Sequence, residues 1–225
     1  MSGPSLPVLT EQDWREMVLR LAHEIRNPLA TIKSGAQLVQ RLTRPEGDVA
    51  ECLQGMLANV SRIDQTLQDL QRFVRLDAGQ PASIELGPIV EDAVAQRQPT
   101  AKRAGVSLQI AQGSRANVQM DPQNLATALD ELLSNALRVT PAGAAVMVSW
   151  VADNRRLLVH VDDEGPGVPP ELEGRIIRPF FSTASQGTGL GLNITDKACR
   201  LAGGSLTWRN LAGRGCRFSL SLPVS

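Results

Sequence analysis

Apolar residues recur at alternating steps of four and three along the first third of the chain. The most regular run comprises Val49, Leu53, Met56, Val60, Ile63, Leu67, Leu70 and Val74. This heptad pattern is typical of a helix that packs against a neighbouring helix. A less regular run upstream comprises Leu21, Ile25, Pro28, Ile32, Gly35, Val39 and Leu42. The Pro- and Gly-containing stretch 44–48 separates the two runs, so residues 12–77 are predicted to form an antiparallel helical hairpin, with Asp48 capping its second helix.

A single hairpin with a continuous apolar seam has surface left to bury. Two copies that form a four-helix bundle would cover this surface, and a homodimer is therefore the favoured arrangement. The alternative is that the hairpin packs against the rest of its own chain.

The pattern changes after a short linker at 77–82, which contains glycine and proline. Helices are predicted over 87–103, with Pro88 in the first turn, after Asp121, and over 190–201. Strands are predicted near 106–110, 116–120, 145–151, 156–162, 205–210 and 216–222. The fold class of the whole chain is therefore α+β. Its second domain, 83–225, is an α/β sandwich with helices over one face of a sheet.

Composition narrows the possible partners. Lys and Arg total 23, as do Asp and Glu, so the formal net charge is zero and gives no reason to expect nucleic acid as a partner. The three scattered cysteines match neither a disulfide framework nor a metal site, and they fit a reducing cytoplasm. No apolar run approaches the ~20 residues of a membrane helix, and the N-terminus does not resemble a signal peptide. We expect a cytoplasmic location, with room for a sensor or membrane region upstream in a longer protein.

The first chemical pattern is His23-Glu24-Ile25-Arg26-Asn27-Pro28. An imidazole with one unprotonated nitrogen can accept a phosphoryl group, and the carboxylate of Glu24 can orient the ring or take its proton. Asn27 lies one helical turn beyond His23 and can orient a water. Pro28 is expected to kink or soften the helix. An ordinary surface histidine is the alternative when this pattern is taken alone.

A second pattern places Glu131, Asn135 and Arg138 on one face of the predicted helix after Asp121. Carboxylate and amide oxygens can hold Mg²⁺, and a guanidinium group can bind a triphosphate. A solvated helix face would have the same spacing.

A third pattern, Asp163-Glu164-Gly165-Pro166-Gly167, directly follows an apolar strand. The Asp163 carboxylate can accept a hydrogen bond from an adenine amino group, while Gly165 and Gly167 allow backbone close to a flat base. A plain turn after the strand is the alternative.

Two further patterns lie before and at the start of the predicted helix 190–201. Gly187, Thr188, Gly189 and Gly191 open that helix, and backbone N–H groups at a helix N-terminus attract phosphate. The stretch 178–183 contains two of the four phenylalanines and can anchor a mobile segment over a ligand. A flexible capping loop and a local packing cluster are the respective alternatives.

The order of these five patterns resembles the H, N, G1, F and G2 boxes of sensor histidine kinases, over residues from about 14 to 223. The resemblance implies a dimerisation and phosphotransfer hairpin at 12–77, followed by an ATPase domain of the Bergerat fold at 83–225. It also implies that His23 accepts a phosphoryl group from ATP, that Glu24 is its acid/base partner, and that Asn27 occupies the family's phosphatase position.

By the same resemblance, Asn135 would hold Mg²⁺ and Asp163 would receive adenine. A response-regulator receiver domain would then take the phosphoryl group onto an aspartate. The chain departs from the family's usual residues at Ile177, Arg178 and Ala184, which affects contacts of the lid at 168–186. Three alternatives stay open: an ATPase or serine kinase that acts on another protein, an enzyme that is mainly a phosphatase of the receiver, and a dimeric scaffold that binds nucleotide without turnover.

Overall fold

The structure is a computed structural model that describes residues 10–152, 155–183 and 187–224. Ala184 and the predicted end of the lid at 186 lie outside the described residues, as does residue 225. The chain divides into two compact units. Of the described residues, the first contains the hairpin up to Arg75 together with Thr183, Gly187 and Thr188, and the second contains Leu76–Ser182 and the chain from Gly189 onward.

The first unit is the predicted helical hairpin. Helix α1 spans Glu11–Thr43 and α2 spans Gly47–Arg75. Thr10 caps α1 in a reciprocal arrangement: its hydroxyl accepts from the Asp13 N–H at 3.1 Å, and the Asp13 carboxylate accepts from the Thr10 N–H at 2.8 Å. The predicted cap at Asp48 is wrong, because α2 already begins at Gly47 and Asp48 lies inside its first turn. There its carboxylate still favours the positive end of the helix dipole.

The heptad seam of the hairpin divides between two faces. The buried cluster where α1 meets α2 consists of Ala22, Leu29, Val60 and Leu67. The alternate seam positions of α2 stay exposed: Val49, Met56 and Ile63. On α1 the predicted apolar run is not the buried one, since Leu21, Ile25, Ile32, Val39 and Leu42 are all exposed in the single chain. A single α2 helix can bury only one of two apolar stripes against α1, so the second stripe remains in solvent.

Within its described residues, the second unit combines short strands with three α-helices and one 3₁₀ helix at Pro170–Leu172. In chain order its elements are β1 Ala82–Glu85, α3 Leu86–Ala104, β2 Ser107–Gly113, β3 Asn117–Met120, α4 Pro122–Val139, β4 Ala145–Ala152, β5 Arg156–Asp163, α5 Gly191–Leu201, β6 Ser205–Asn210 and β7 Cys216–Pro223. Five strands form a sheet in the order β2-β4-β5-β7-β6, with β2 and β4 parallel and the other neighbours antiparallel. Strand β1, which was not predicted, pairs with β3 in a separate antiparallel ribbon.

The hydrophobic core of this unit positions the helix and strand ends that carry the predicted nucleotide-binding residues. Helix α4 buries one continuous apolar stripe that includes Leu125, Leu129, Leu132 and Leu133, as predicted. Along β5 every second residue is buried, ending at Asp163. The end of β5, the C-terminal half of α4 and the start of α5 are thereby held by rigid elements. Among the described residues, no helix has the length and hydropathy of a membrane span.

Candidate functional site

The carboxylate of Asp163 lies at the buried end of β5. The residue is only 2% exposed, and its Oδ1 accepts a hydrogen bond from the Gly165 N–H at 2.9 Å. Burial raises the pKa of Asp163, while backbone N–H groups of Gly165 and Cys216 oppose that rise. A buried carboxylate with remaining acceptor capacity suits recognition of a hydrogen-bond donor such as an exocyclic amino group.

The turn after Asp163 requires small residues. A Cβ on Gly165 would lie 2.8 Å from Asp163 Oδ1 and 2.9 Å from Cγ2 of Val139, so only glycine fits there without a shift. Gly167 adopts a φ of 74°, in the left-handed region that favours glycine. The predicted glycines therefore shape the chain around the buried carboxylate.

Three residues that the sequence analysis missed complete this turn. The side-chain amide of Asn210 bonds both backbone groups of Val168 at 2.8 Å, accepting from the N–H and donating to the C=O. A Cβ on Gly215 would lie 1.7 Å from the Asp163 carbonyl oxygen, and Cys216 pairs with Asp163 across β5 and β7. The glycines at 213 and 215, just before the last strand, were the available signal, because a glycine at a strand start marks a close backbone approach.

Helix α4 brings the second predicted group together. The Arg138 guanidinium donates to Oδ1 of Asn135, three residues before it. Oε2 of Glu131 lies 2.8 Å from the position that a Cβ on Gly191 would take, so this carboxylate lies against the first residue of α5. The side chains of α4 thus adjoin the helix N-terminus predicted to bind phosphate.

The donor set on α4 is compatible with Mg²⁺. Glu131 and Asn135 each offer an oxygen, and Mg²⁺ commonly takes one or two protein oxygens, with phosphates and waters as its other ligands. No group of three or more His, Cys, Asp or Glu side chains suited to a metal occurs within the described residues. Glu131 and Asn135 therefore fit a metal shared with a triphosphate and do not form a complete protein cage.

The phenylalanine segment and Gly189 are joined through their backbones. The Phe180 N–H donates to the Gly189 carbonyl at 3.1 Å, with Phe180 at a φ of 63° and Gly189 at 71°. A Cβ on Gly189 would lie 2.5 Å from the Phe180 carbonyl carbon. The Arg175 guanidinium stacks over the Phe181 ring, 4.5 Å from its centre. Two motifs predicted separately therefore form one anchor at the start of α5.

The rest of the predicted glycine motif belongs to the first unit. Thr188 donates its hydroxyl to Oδ2 of the buried Asp69 at 2.6 Å, and Gly187 belongs to the same unit. Gly189 and Gly191 belong to the second unit. The structure does not group Gly187 and Thr188 with the other predicted nucleotide residues.

The predicted phospho-acceptor lies on α1. His23, Glu24 and Asn27 are all exposed, and His23 directly follows the buried Ala22. Helix α1 continues through Pro28 to Thr43. The His23 side chain is therefore accessible from solvent, while the opposite side of α1 packs against α2.

Comparison with known proteins identifies both units. The His Kinase A (phospho-acceptor) domain matches residues 13–79, and the histidine kinase-, DNA gyrase B-, and HSP90-like ATPase matches 120–225. The chain belongs to the sensor histidine kinases. The alginate biosynthesis sensor protein KinB of Pseudomonas aeruginosa is 32% identical over 93% of this chain, which covers 37% of that protein. The signal transduction histidine-protein kinase AtoS of Escherichia coli is 28% identical, with 93% and 35% covered.

Solved histidine kinases share the fold. Full-length ShkA in complex with AMPPNP has a TM-score of 0.73 at 24% identity, over 94% of this chain and 46% of that one. ThkA in complex with the response regulator protein TrrA has a TM-score of 0.69 at 22% identity, over 93% and 61%. The predicted order of a helical hairpin followed by a mixed α/β ATPase domain is confirmed. This histidine kinase chain spans less than half the length of the curated relatives named above.

Proposed function

We propose that this chain is an ATP-dependent autokinase that phosphorylates its own His23. The observation that carries the proposal is an exposed His23 on the helix of a phospho-acceptor domain, in one chain with an ATPase domain that buries Asp163. Asp163 receives the adenine amino group, and Gly165 and Gly167 give the base room. Gly189 and Gly191 open α5 toward the phosphates, with Arg138 as a cation, and Gly187 and Thr188, the preceding residues of the same motif, are proposed as further phosphate contacts.

The proposed step is an in-line displacement at the γ-phosphorus. The distal nitrogen of His23 forms the new N–P bond while the bond to the β–γ bridging oxygen breaks, and ADP leaves with the electron pair. The proton on the other ring nitrogen passes to the carboxylate of Glu24. Most of the rate enhancement would come from positioning and from neutralising phosphate charge.

Glu131 and Asn135 would hold Mg²⁺ with the triphosphate. When bound, the ion would offset the negative charge that builds on the leaving ADP. Asn135 accepts from Arg138 in the structure, so the ion would share the Asn135 oxygen with Arg138 or displace the guanidinium group.

We also propose that the phosphoryl group passes to an aspartate of a response regulator. A related kinase, ThkA, was solved in complex with a response regulator protein. Asn27, exposed one turn beyond His23, would hold a water in line with the phospho-aspartate and thereby serve dephosphorylation of that regulator. Asn27→Ala should keep autophosphorylation but slow phosphate loss from the regulator. If Asn27→Ala also abolished autophosphorylation, the proposed separate role of Asn27 in dephosphorylation would be wrong.

A homodimer is part of the proposal. The exposed α2 stripe of Val49, Met56 and Ile63 supports it, together with the exposed apolar residues of α1. Covering these residues with a second hairpin gives a four-helix bundle.

Incubation with γ-labelled ATP and Mg²⁺ tests the proposed function. The label should resist base and be lost in acid, as expected of phosphohistidine, and His23→Ala should abolish it. His160→Gln is the matched control, since the chain has only two histidines. Acid-stable label would point instead to a serine kinase, and nucleotide binding without any label to a scaffold.

A further inference from the structure

A polar pocket of about 420 Å³ lies on one side of the hairpin, within the first unit. Its lining consists of Arg26, Asp64, Gln68, Gln71, Arg72 and Arg75. Three guanidinium groups stand against one carboxylate, so the lining carries a net charge of +2. We refer to this site as the arginine pocket.

The single carboxylate of the pocket is already engaged. Asp64 Oδ1 accepts from Nε of Arg26 at 2.9 Å, and Oδ2 accepts from Nε2 of Gln68 at 3.0 Å. A second Arg26 nitrogen donates to Oε1 of Gln71 at 3.1 Å. Arg26 is thus fixed between two positions of α2. Asp64 pairs with Arg26 and Asp69 with Arg72, which leaves the charge of Arg75.

Gln71 supplies a second, independent observation. The residue is 9% exposed, and its Nε2 is a buried donor for which the described residues offer no acceptor. Leaving a buried polar group unpaired destabilises the folded state. An oxyanion bound in the pocket would offer oxygens to this amide, which already belongs to the lining.

The two remaining arginines end α2. Arg72 is half-exposed and lies 3.9 Å from Oδ1 of Asp69, and Arg75 forms no ion pair within the part of the chain that the structure describes. Basic residues in a last helical turn also offset the helix dipole. That role accounts for Arg72 and Arg75, but it does not explain Arg26, in the middle of α1, or the unpaired Gln71 amide.

The position of the pocket indicates its ligand. Arg26 lies three residues beyond His23, a spacing that makes the two side chains neighbours on the helix surface. We propose that the arginine pocket binds the dianionic phosphoryl group carried by His23, with guanidinium groups as its donors. The fork of N–H groups on arginine matches the oxygens of a phosphate. This inference rests on the proposed function, and free inorganic phosphate is the other source of the same chemistry.

The pocket should make phosphorylated His23 more stable relative to ATP. The full chain is equilibrated with labelled ATP and ADP at a fixed ratio, and the ratio of phosphorylated to free His23 is measured. Combined Arg72→Gln and Arg75→Gln should lower this ratio about two- to fivefold, the range for partly exposed charge pairs. Combined Arg41→Gln and Arg62→Gln removes the same charge elsewhere on the hairpin and should leave the ratio unchanged.

A second arm follows the Gln71 side-chain amide by NMR, assigned with Gln71→Leu. Phosphorylation of His23 should shift this resonance in the parent chain and much less in the Arg72/Arg75 double variant. Unchanged phosphohistidine levels in the double variant overturn the proposal, even if inorganic phosphate shifts the amide in the His23→Ala chain. If the parent takes up no label, the proposed function has failed. In that case, no phosphate-induced shift in the His23→Ala chain would also overturn the oxyanion site.

Discussion

At Asp163 two opposing effects act on one carboxyl group. Burial favours the neutral acid, while the N–H groups of Gly165 and Cys216 favour the carboxylate, and the balance raises the pKa above its ordinary value of 3.8. A buried acid of this kind costs stability when ionised, and it is retained where recognition needs it. The proposed adenine role of Asp163 can therefore be tested apart from any structural role.

Asp163→Asn should weaken ATP binding about tenfold or more, because a charge-assisted hydrogen bond contributes about 1.5–3 kcal/mol. The same change should preserve the fold, since the amide oxygen can still accept from Gly165. Asp162→Asn is the matched control, because Asp162 pairs with Arg217 and not with the glycine turn. Calorimetric titration with ATP and GTP measures the effect. Unchanged affinity for both nucleotides would exclude the adenine role.

The stability of the Asp163→Asn chain relative to the parent should rise with pH. With the folded-state pKa raised, the native protein binds more protons than the unfolded chain at pH values between the two pKa values, so stability falls as pH rises from about 3.8 through the folded pKa. Asparagine lacks this loss. The midpoint of thermal unfolding of the variant, relative to the parent, should therefore increase from pH 4 to pH 7. A constant difference would contradict the raised pKa.

Gly215 should be required for close packing and not only for its backbone angle. Gly213 and Gly215 have similar φ values, 93° and 88°, but a Cβ on Gly213 meets nothing within 4 Å, while one on Gly215 would meet the Asp163 carbonyl oxygen at 1.7 Å. Gly215→Ala should therefore lose about 1–3 kcal/mol more stability than Gly213→Ala, the usual cost of overpacking. Chemical denaturation of both variants measures the difference. Equal losses would show that conformational strain alone matters.

At the scale of elements, periodicity predicted most of the fold. The apolar stripe of α4 and the alternating apolar residues of β5 arise because each element is buried on one side. The sequence therefore predicted the approximate positions of both elements. On α1 the predicted run stays exposed in the single chain, and pairing within the hairpin buries a second stripe, which contains Ala22 and Leu29 and was not predicted. Alanine at a helix contact gives almost no hydrophobic signal.

For the candidate site too, the sequence predicted residues in local motifs but not residues brought in from distant segments. Asp163 and its glycines stand in a local motif, whereas Asn210 acts on Val168 from a distant part of the chain, which no local pattern reveals. Strand β1 is only four residues long and was hidden beside the linker. Residues whose role depends on contacts between distant segments were thus the ones missed.

The exposed stripe of α2 gives the prediction at this scale. Ile63→Lys should weaken dimerisation at least about tenfold, because a charge would be buried in an apolar seam, yet leave the hairpin intact, since Ile63 is 42% exposed in the single chain. Gln54→Lys adds the same charge at an exposed position outside the seam. Sedimentation measures association, and circular dichroism checks helicity. If Ile63→Lys leaves association unchanged, the α2 stripe is not the dimer contact.

At the scale of the whole molecule, the segment between the hairpin and the ATPase domain contributes to the second unit. Leu76 is 7% exposed and belongs to that unit's core. The Asp77 carbonyl accepts from the Asn124 side chain at 2.8 Å, and the Gln80 N–H donates to Asp121 at 2.8 Å. The domain start at residue 83 stays a prediction, and these contacts identify an experiment that tests it.

A fragment of residues 76–225 should be more stable than one of 83–225. Burial of a leucine side chain contributes about 1.5–3 kcal/mol and each hydrogen bond about 1 kcal/mol. The shorter fragment also loses Ala82, the first residue of β1. Leu76→Ala in the longer fragment isolates the leucine's share, and denaturant unfolding gives all three values. Both fragments should be monomeric, because the exposed apolar stripes lie on the hairpin. Equal stabilities would mean that residues 76–82 only connect the hairpin to the ATPase domain and contribute nothing to the stability of that domain.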